Sequence, residues 1–88
     1  MALHLPEHLT ILEIAEWQEA MSALLSVSPN LQIDVSPLAR IDTAGLQLLL
    51  AVVEEAKTKG GSVQWVGVSD ILSQSAHWLG MSSVLGVS

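Results

Sequence analysis

Apolar residues recur along the chain at two different periods, and the alternation of those periods outlines the fold. From about Ile11 to Leu25 the spacing is helical: Ile14, Trp17, Met21, Leu24 and Leu25 share a face, with Glu13, Glu16 and Glu19 between them. Thr10 followed by Glu13 fits a capping box, in which the hydroxyl accepts an orphan backbone N–H and the carboxylate reaches back. Leu9 and Ile14 flank that box as a hydrophobic staple, and Pro29 and Asn30 end the helix. Leu31 to Val35 alternates apolar and polar residues, which is the two-residue period of a strand, and Ser36 and Pro37 close it. A second helix is predicted to open at Asp42–Thr43 and to stop at Gly60–Gly61, just after Lys57 and Lys59. Val63 to Val68 reads as another strand. Ser69 or Asp70 then caps a third helix over Ile71–Leu79, which stops at Gly80. Ala2–Leu5 and Met81–Val87 are candidate short strands at the two ends.

Strands that alternate with helices need crossover connections. The expected architecture is a small α/β layer of about four strands in a largely parallel or mixed sheet, with about three helices. The second helix is apolar nearly all round. Leu46, Leu49, Leu50 and Val53 can face the sheet, whereas Leu48 and Val52 form a separate stripe near Gln47 and Ala51. Either a neighbouring helix covers that stripe or it belongs to a partner surface.

Composition narrows the functional classes. A chain of 88 residues makes one domain, and with 50% hydrophobic residues it can build a core. The absence of cysteine excludes a disulfide scaffold, a thiol nucleophile and thiolate metal ligands. The formal net charge is −6, and Arg40, Lys57 and Lys59 are the basic residues. That balance argues against nucleic-acid binding, which needs clustered cations on the phosphate backbone. It also disfavours an anionic lipid surface. The longest apolar run, Leu48–Val53, falls far short of the ~18–20 residues of a membrane span. No basic region followed by an apolar stretch marks a signal peptide, so a soluble, cytoplasmic domain with no direct membrane insertion is expected.

The segment Ile41-Asp42-Thr43-Ala44-Gly45-Leu46 carries the candidate chemistry. The bland reading is a helix cap, since Asp and Thr are common N-caps and Ala and Gly permit close packing. The functional reading uses the same geometry. A hydroxyl at a helix N-terminus lies where backbone N–H groups and the helix dipole favour an anion, so a phosphate there adds charge without unfolding the helix.

The run Asp42-Thr43-Ala44-Gly45-Leu46, then an apolar helix, then Gly60-Gly61-Ser62-Val63-Gln64-Trp65-Val66-Gly67-Val68-Ser69, resembles the STAS domain, the sulfate-transporter and anti-sigma-factor-antagonist family. Leu79-Gly80-Met81 is similar to the family's late helix ending. The resemblance implies Thr43 as phosphoacceptor, with Asp42 as its acidic neighbour. It implies a regulatory domain that binds a protein partner, such as an anti-sigma factor with a serine/threonine kinase activity or another signalling protein. A second role the family implies is that of a structural subunit on the ATPase of a bacterial lipid-transport ABC complex, with Thr43 as a contact residue. Asp42, Thr43, Ala44, Gly45, Gln47 and Leu48 are then the expected partner-binding residues.

Other candidates are weaker. His4 and His8 have the i, i+4 spacing of a helical metal pair, but Pro6 lies between them and no third ligand is near. His77 reads as packed or solvated, and Trp17, Trp65 and Trp78 as core. No Ser–His–Asp spacing or carboxylate pair defines a catalytic centre, and Gly60–Gly61 lacks the Lys-Ser/Thr of a phosphate-binding loop. Neither enzymatic activity nor a cofactor is expected.

Overall fold

The elements of the computed structural model, which describes residues 2–67 and 69–78, alternate as the periodicity predicts. In chain order they are β1 (Ala2–His4), β2 (His8–Leu9), α1 (Ile14–Val27), β3 (Leu31–Asp34), β4 (Arg40–Ile41), α2 (Thr43–Thr58), β5 (Val63–Val66) and α3 (Asp70–Trp78). β3 is central in a three-stranded sheet with β1 and β5 on either side, and β2 pairs with β4 in a separate two-stranded ribbon. Every pairing among the described residues is parallel, so of the largely parallel or mixed sheet expected the mixed form is corrected, and the expected single sheet of about four strands is instead five strands in two sheets. The reason is topological: α1 intervenes between β1 and β3, and α2 between β3 and β5. A helical crossover returns the chain in the same direction. Val68, Leu79 and the predicted Met81–Val87 strand lie outside the described residues.

Register separates the faces of the sheet. Leu3 opposes Ile33, Leu31 opposes Val63, and Ile33 opposes Trp65; all five join the hydrophobic core. On the other face His4 opposes Asp34 and Gln32 opposes Gln64, and both pairs are hydrogen-bonded, at 2.9 and 3.3 Å. The inner face is covered by α2 and α1. Leu46, Leu49, Met21 and Leu25 are essentially inaccessible, and each such side chain contributes about 1.5–3 kcal/mol of burial. α1 packs against α2 and covers its second stripe, where Leu48 is 7% and Val52 5% exposed. The all-round apolar helix is therefore buried against the sheet on one side and against α1 on the other. Trp17 and Trp65 are half-buried at the edge of the core.

Helix boundaries follow local hydrogen bonding. α2 ends as predicted: Gly60 has φ +82°, its N–H donates to the Lys57 carbonyl at 3.0 Å, and Gly61 N–H donates to the Ala56 carbonyl at 2.8 Å. This pair of bonds is a Schellman motif, and the left-handed backbone at its centre favours glycine. Ser69, not Asp70, caps α3, its hydroxyl accepting from Leu72 N–H at 3.2 Å. α1 starts at Ile14, later than predicted. Its capping box is half formed: the Glu13 carboxylate accepts from the Thr10 N–H at 3.2 Å and from the Thr10 hydroxyl at 3.1 Å. The reciprocal bond is replaced by a turn in which Glu13 N–H donates to the Thr10 carbonyl at 2.9 Å. Residues 11–13 stay outside the helix.

The approach of α2 to the β2–β4 ribbon fixes Gly45. A Cβ there would run into the Leu9 carbonyl oxygen and lie 2.7 Å from Ile41 Cγ1. Helix propensity alone would make Gly45→Ala stabilising by about 1 kcal/mol. Overpacking of this kind costs about 1–3 kcal/mol, and here it meets backbone rather than a flexible side chain. Gly45→Ala is expected to lower the urea midpoint; a raised midpoint would show that the two backbones separate at no cost.

Candidate functional site

Asp42 joins three pieces of chain. It is the N-cap of α2, with extended backbone and its carbonyl accepting from Leu46 N–H at 3.1 Å. Its side chain also caps the helix, Oδ1 accepting from Gly45 N–H at 3.0 Å. Its other oxygen, Oδ2, accepts from Ile11 N–H at 2.9 Å, on the turn that precedes α1. Its own N–H points to the Leu9 carbonyl at 3.4 Å, extending the β2–β4 ribbon. Through these bonds the entrances of α1 and α2 are held side by side. The Gly45 and Ile11 N–H groups hold the Asp42 carboxyl below the usual aspartate range, against an opposing effect of partial desolvation.

This carboxylate occupies the mouth of α2, where an anion would otherwise meet free backbone donors. An anion at the neighbouring Thr43 would therefore meet a negative charge that is already in place. Thr43 is the first residue of α2 and is exposed; Gln47, one turn later, is exposed on the same side. Ala44 is half-buried. Gly45 and Leu48 are buried, so neither presents a side chain to a partner, contrary to the expectation for these two positions. The accessible part of the predicted cluster is thus Asp42, Thr43, Gln47 and the edge of Ala44.

Beside it lies a feature that sequence reasoning missed. An open cleft of about 310 Å³ is lined by Arg40 and His8 of the ribbon, by Asp42 and by the Thr10–Glu13 turn. At its rim Ile11 is 67% and Leu12 89% exposed. The available signal was slight: Leu12 falls off the stripe of Ile14, Trp17 and Met21, whereas Ile11, three residues before Ile14, fits it. The ribbon that brings Arg40 to this turn has only two residues per strand and leaves no periodic trace.

His4 and His8 do not form a pair: His4 bonds Asp34 through Nδ1, and His8 sits in the other sheet opposite Arg40. Among the described residues no group of three His, Cys, Asp or Glu side chains is placed to hold a metal ion. Asp34 also lies below the usual aspartate range, chiefly through the Ser36 N–H and hydroxyl and then through His4. Exposed His77 lies in the last turn of α3. The Trp78 side chain, read from the sequence as core, lies outside the described residues. No helix among the described residues is long and apolar enough to cross a membrane.

A parallel α/β layer with a capped Asp-Thr-small-Gly helix start is the arrangement of a STAS domain. The family model described as "Mlab, STAS domain" matches residues 1–86, and the chain belongs to this family. Over 38 residues it is 47% identical to the intermembrane phospholipid transport system binding protein MlaB of Escherichia coli (strain K12), and equally to the protein of that name from Shigella flexneri. The similar stretch covers 43% of this chain and 39% of each relative, well under half of either.

A lowered carboxyl pKa in the folded state contributes stability that is complete above the unfolded value and lost as pH falls through the folded one. Both Asp42 and Asp34 act in that direction. Stability should therefore hold down to about pH 4–5 and fall at lower pH. Asp42→Asn should make that fall shallower, as read from urea midpoints across the acid range; an unchanged slope would mean that the two N–H bonds do not favour the ionised form.

Proposed function

We propose that this domain is a non-catalytic docking subunit of an intermembrane phospholipid-transport assembly. It binds the assembly's ATP-hydrolysing subunit on the cytoplasmic side through the face made by Asp42, Thr43 and Gln47. The observation that carries this reading is the exposed Thr43 on a helix start that Asp42 and Gly45 hold rigidly against the ribbon. The backbone that presents this solvent-facing hydroxyl and amide on one helical side is held in place, so little loop entropy is lost when a pre-formed partner surface docks on it. The partial identity to MlaB supports the transport setting.

A second reading rests on the same exposed hydroxyl. Phosphorylation of Thr43 by a partner kinase would place a dianion beside the ionised Asp42, directed outward into the interface. The domain would then be a switch of the anti-sigma-factor-antagonist kind, released when Thr43 is modified.

Binding of the purified ATP-hydrolysing subunit to Thr43→Ala and Thr43→Glu separates the readings. A contact residue predicts that both variants bind on the order of tenfold more weakly than the parent. A switch predicts that Thr43→Ala binds as the parent does and only Thr43→Glu fails. If the parent itself does not bind, the transport reading falls.

A further inference from the structure

The docking reading leaves unexplained the two most accessible large hydrophobic residues near the site. Ile11 and Leu12 lie in the turn before α1 and contribute little to the core. Their place is nevertheless fixed. Ile11 N–H donates to Asp42 Oδ2 at 2.9 Å, and Leu12 N–H donates to the Thr10 hydroxyl at 3.4 Å. The turn is closed by Glu13 N–H on the Thr10 carbonyl. Two isobutyl-sized side chains held out into water by a carboxylate in the next helix cap have the character of a preorganised anchor rather than of a frayed end.

We infer that the Ile11–Leu12 turn is the apolar anchor of the docking surface that continues to Thr43 and Gln47, that Asp42 is its positioning residue, and that the occupant is a protein presenting an apolar pocket with a basic rim. The inference rests on the docking reading for the continuity of the surface, though the identity of the partner is a separate matter. Charge selects the occupant. The chain carries −6, and the carboxylates of Glu13 and Asp42 line the cleft beside the anchor with Arg40 as its cation. A basic rim gains from this field over several ångströms, and such complementarity speeds encounter and fixes register. A second copy would bring the same carboxylates face to face across an isologous contact. An anionic bilayer would be repelled by the net charge, and two side chains alone give little membrane affinity. The apolar pair supplies the desolvated centre that a recognition surface needs, and Thr43 and Gln47 supply its polar margin.

A photo-crosslinking amino acid placed separately at Leu12, Thr43 and the distant, exposed Val27 of the full chain in its native cells tests this. Leu12 and Thr43 should label the same protein and Val27 should not. Affinity for that purified protein should drop at least about tenfold in Leu12→Asp, with the melting temperature unchanged because the side chain is already in water. Asp42→Asn should keep α2 capped, speed hydrogen exchange at the Ile11 and Leu12 amides, and weaken binding. Labelling of lipid or of a second copy from Leu12, labelling from Thr43 alone, no labelling at all, or full affinity in Leu12→Asp would each overturn the inference. If both positions label a protein other than the ATP-hydrolysing subunit, the anchor stands and the transport reading falls.

Discussion

One carboxylate organises the functional end of this protein. Asp42 spends one oxygen on the second helix and the other on the turn before the first, so two segments distant in sequence enter their helices side by side. Both are charge-assisted, the stronger kind of hydrogen bond. Their effect is geometric. Both N–H groups would otherwise be orphan donors at element ends, and a single ionised acceptor satisfies them at once. The exposed Thr43 hydroxyl and the apolar turn acquire a fixed relation because both are referred to the same side chain.

The rest of the fold supplies a floor for that arrangement. A parallel sheet is usually covered on both faces. Here the outward face carries polar cross-strand pairs, His4–Asp34 and Gln32–Gln64, and the burial is concentrated on the inner face. α2 packs against that inner face and against α1, and its exposed stripe runs from Thr43 and Gln47 through Ala51 and Glu54. Gly45 lets the helix seat directly against the Leu9 carbonyl, so the position of α2 is set by backbone contact.

Periodicity was legible wherever an element was long enough to repeat. The stripe of Ile14, Trp17, Met21 and Leu25 located α1, and alternation located β3. Paired glycines located the end of α2 with its Schellman geometry. What could not be read were interactions between distant residues. The β2–β4 ribbon has no pattern of its own and exists because His8 and Leu9 meet Arg40 and Ile41. The late start of α1 is local instead: Glu13 N–H closes a turn on the Thr10 carbonyl, and the helical ladder begins with Trp17 N–H on the Glu13 carbonyl. The burial of Leu48 depends on α1 lying over it. At the site, the Asp42–Thr43 motif was visible as a cap and as a family resemblance, while the neighbouring hydrophobic turn required the three-dimensional contact to be seen.

The half-formed capping box at Thr10 and Glu13 has an evolutionary corollary. Because helical geometry begins only at Ile14, Ile11 and Leu12 are left free of packing duties, so mutation of those two side chains is not policed by folding. Lineages that duplicate such a gene could retune partner choice at positions 11 and 12 while inheriting the scaffold intact. Divergence among paralogues should then concentrate in that dipeptide rather than in the helix it precedes.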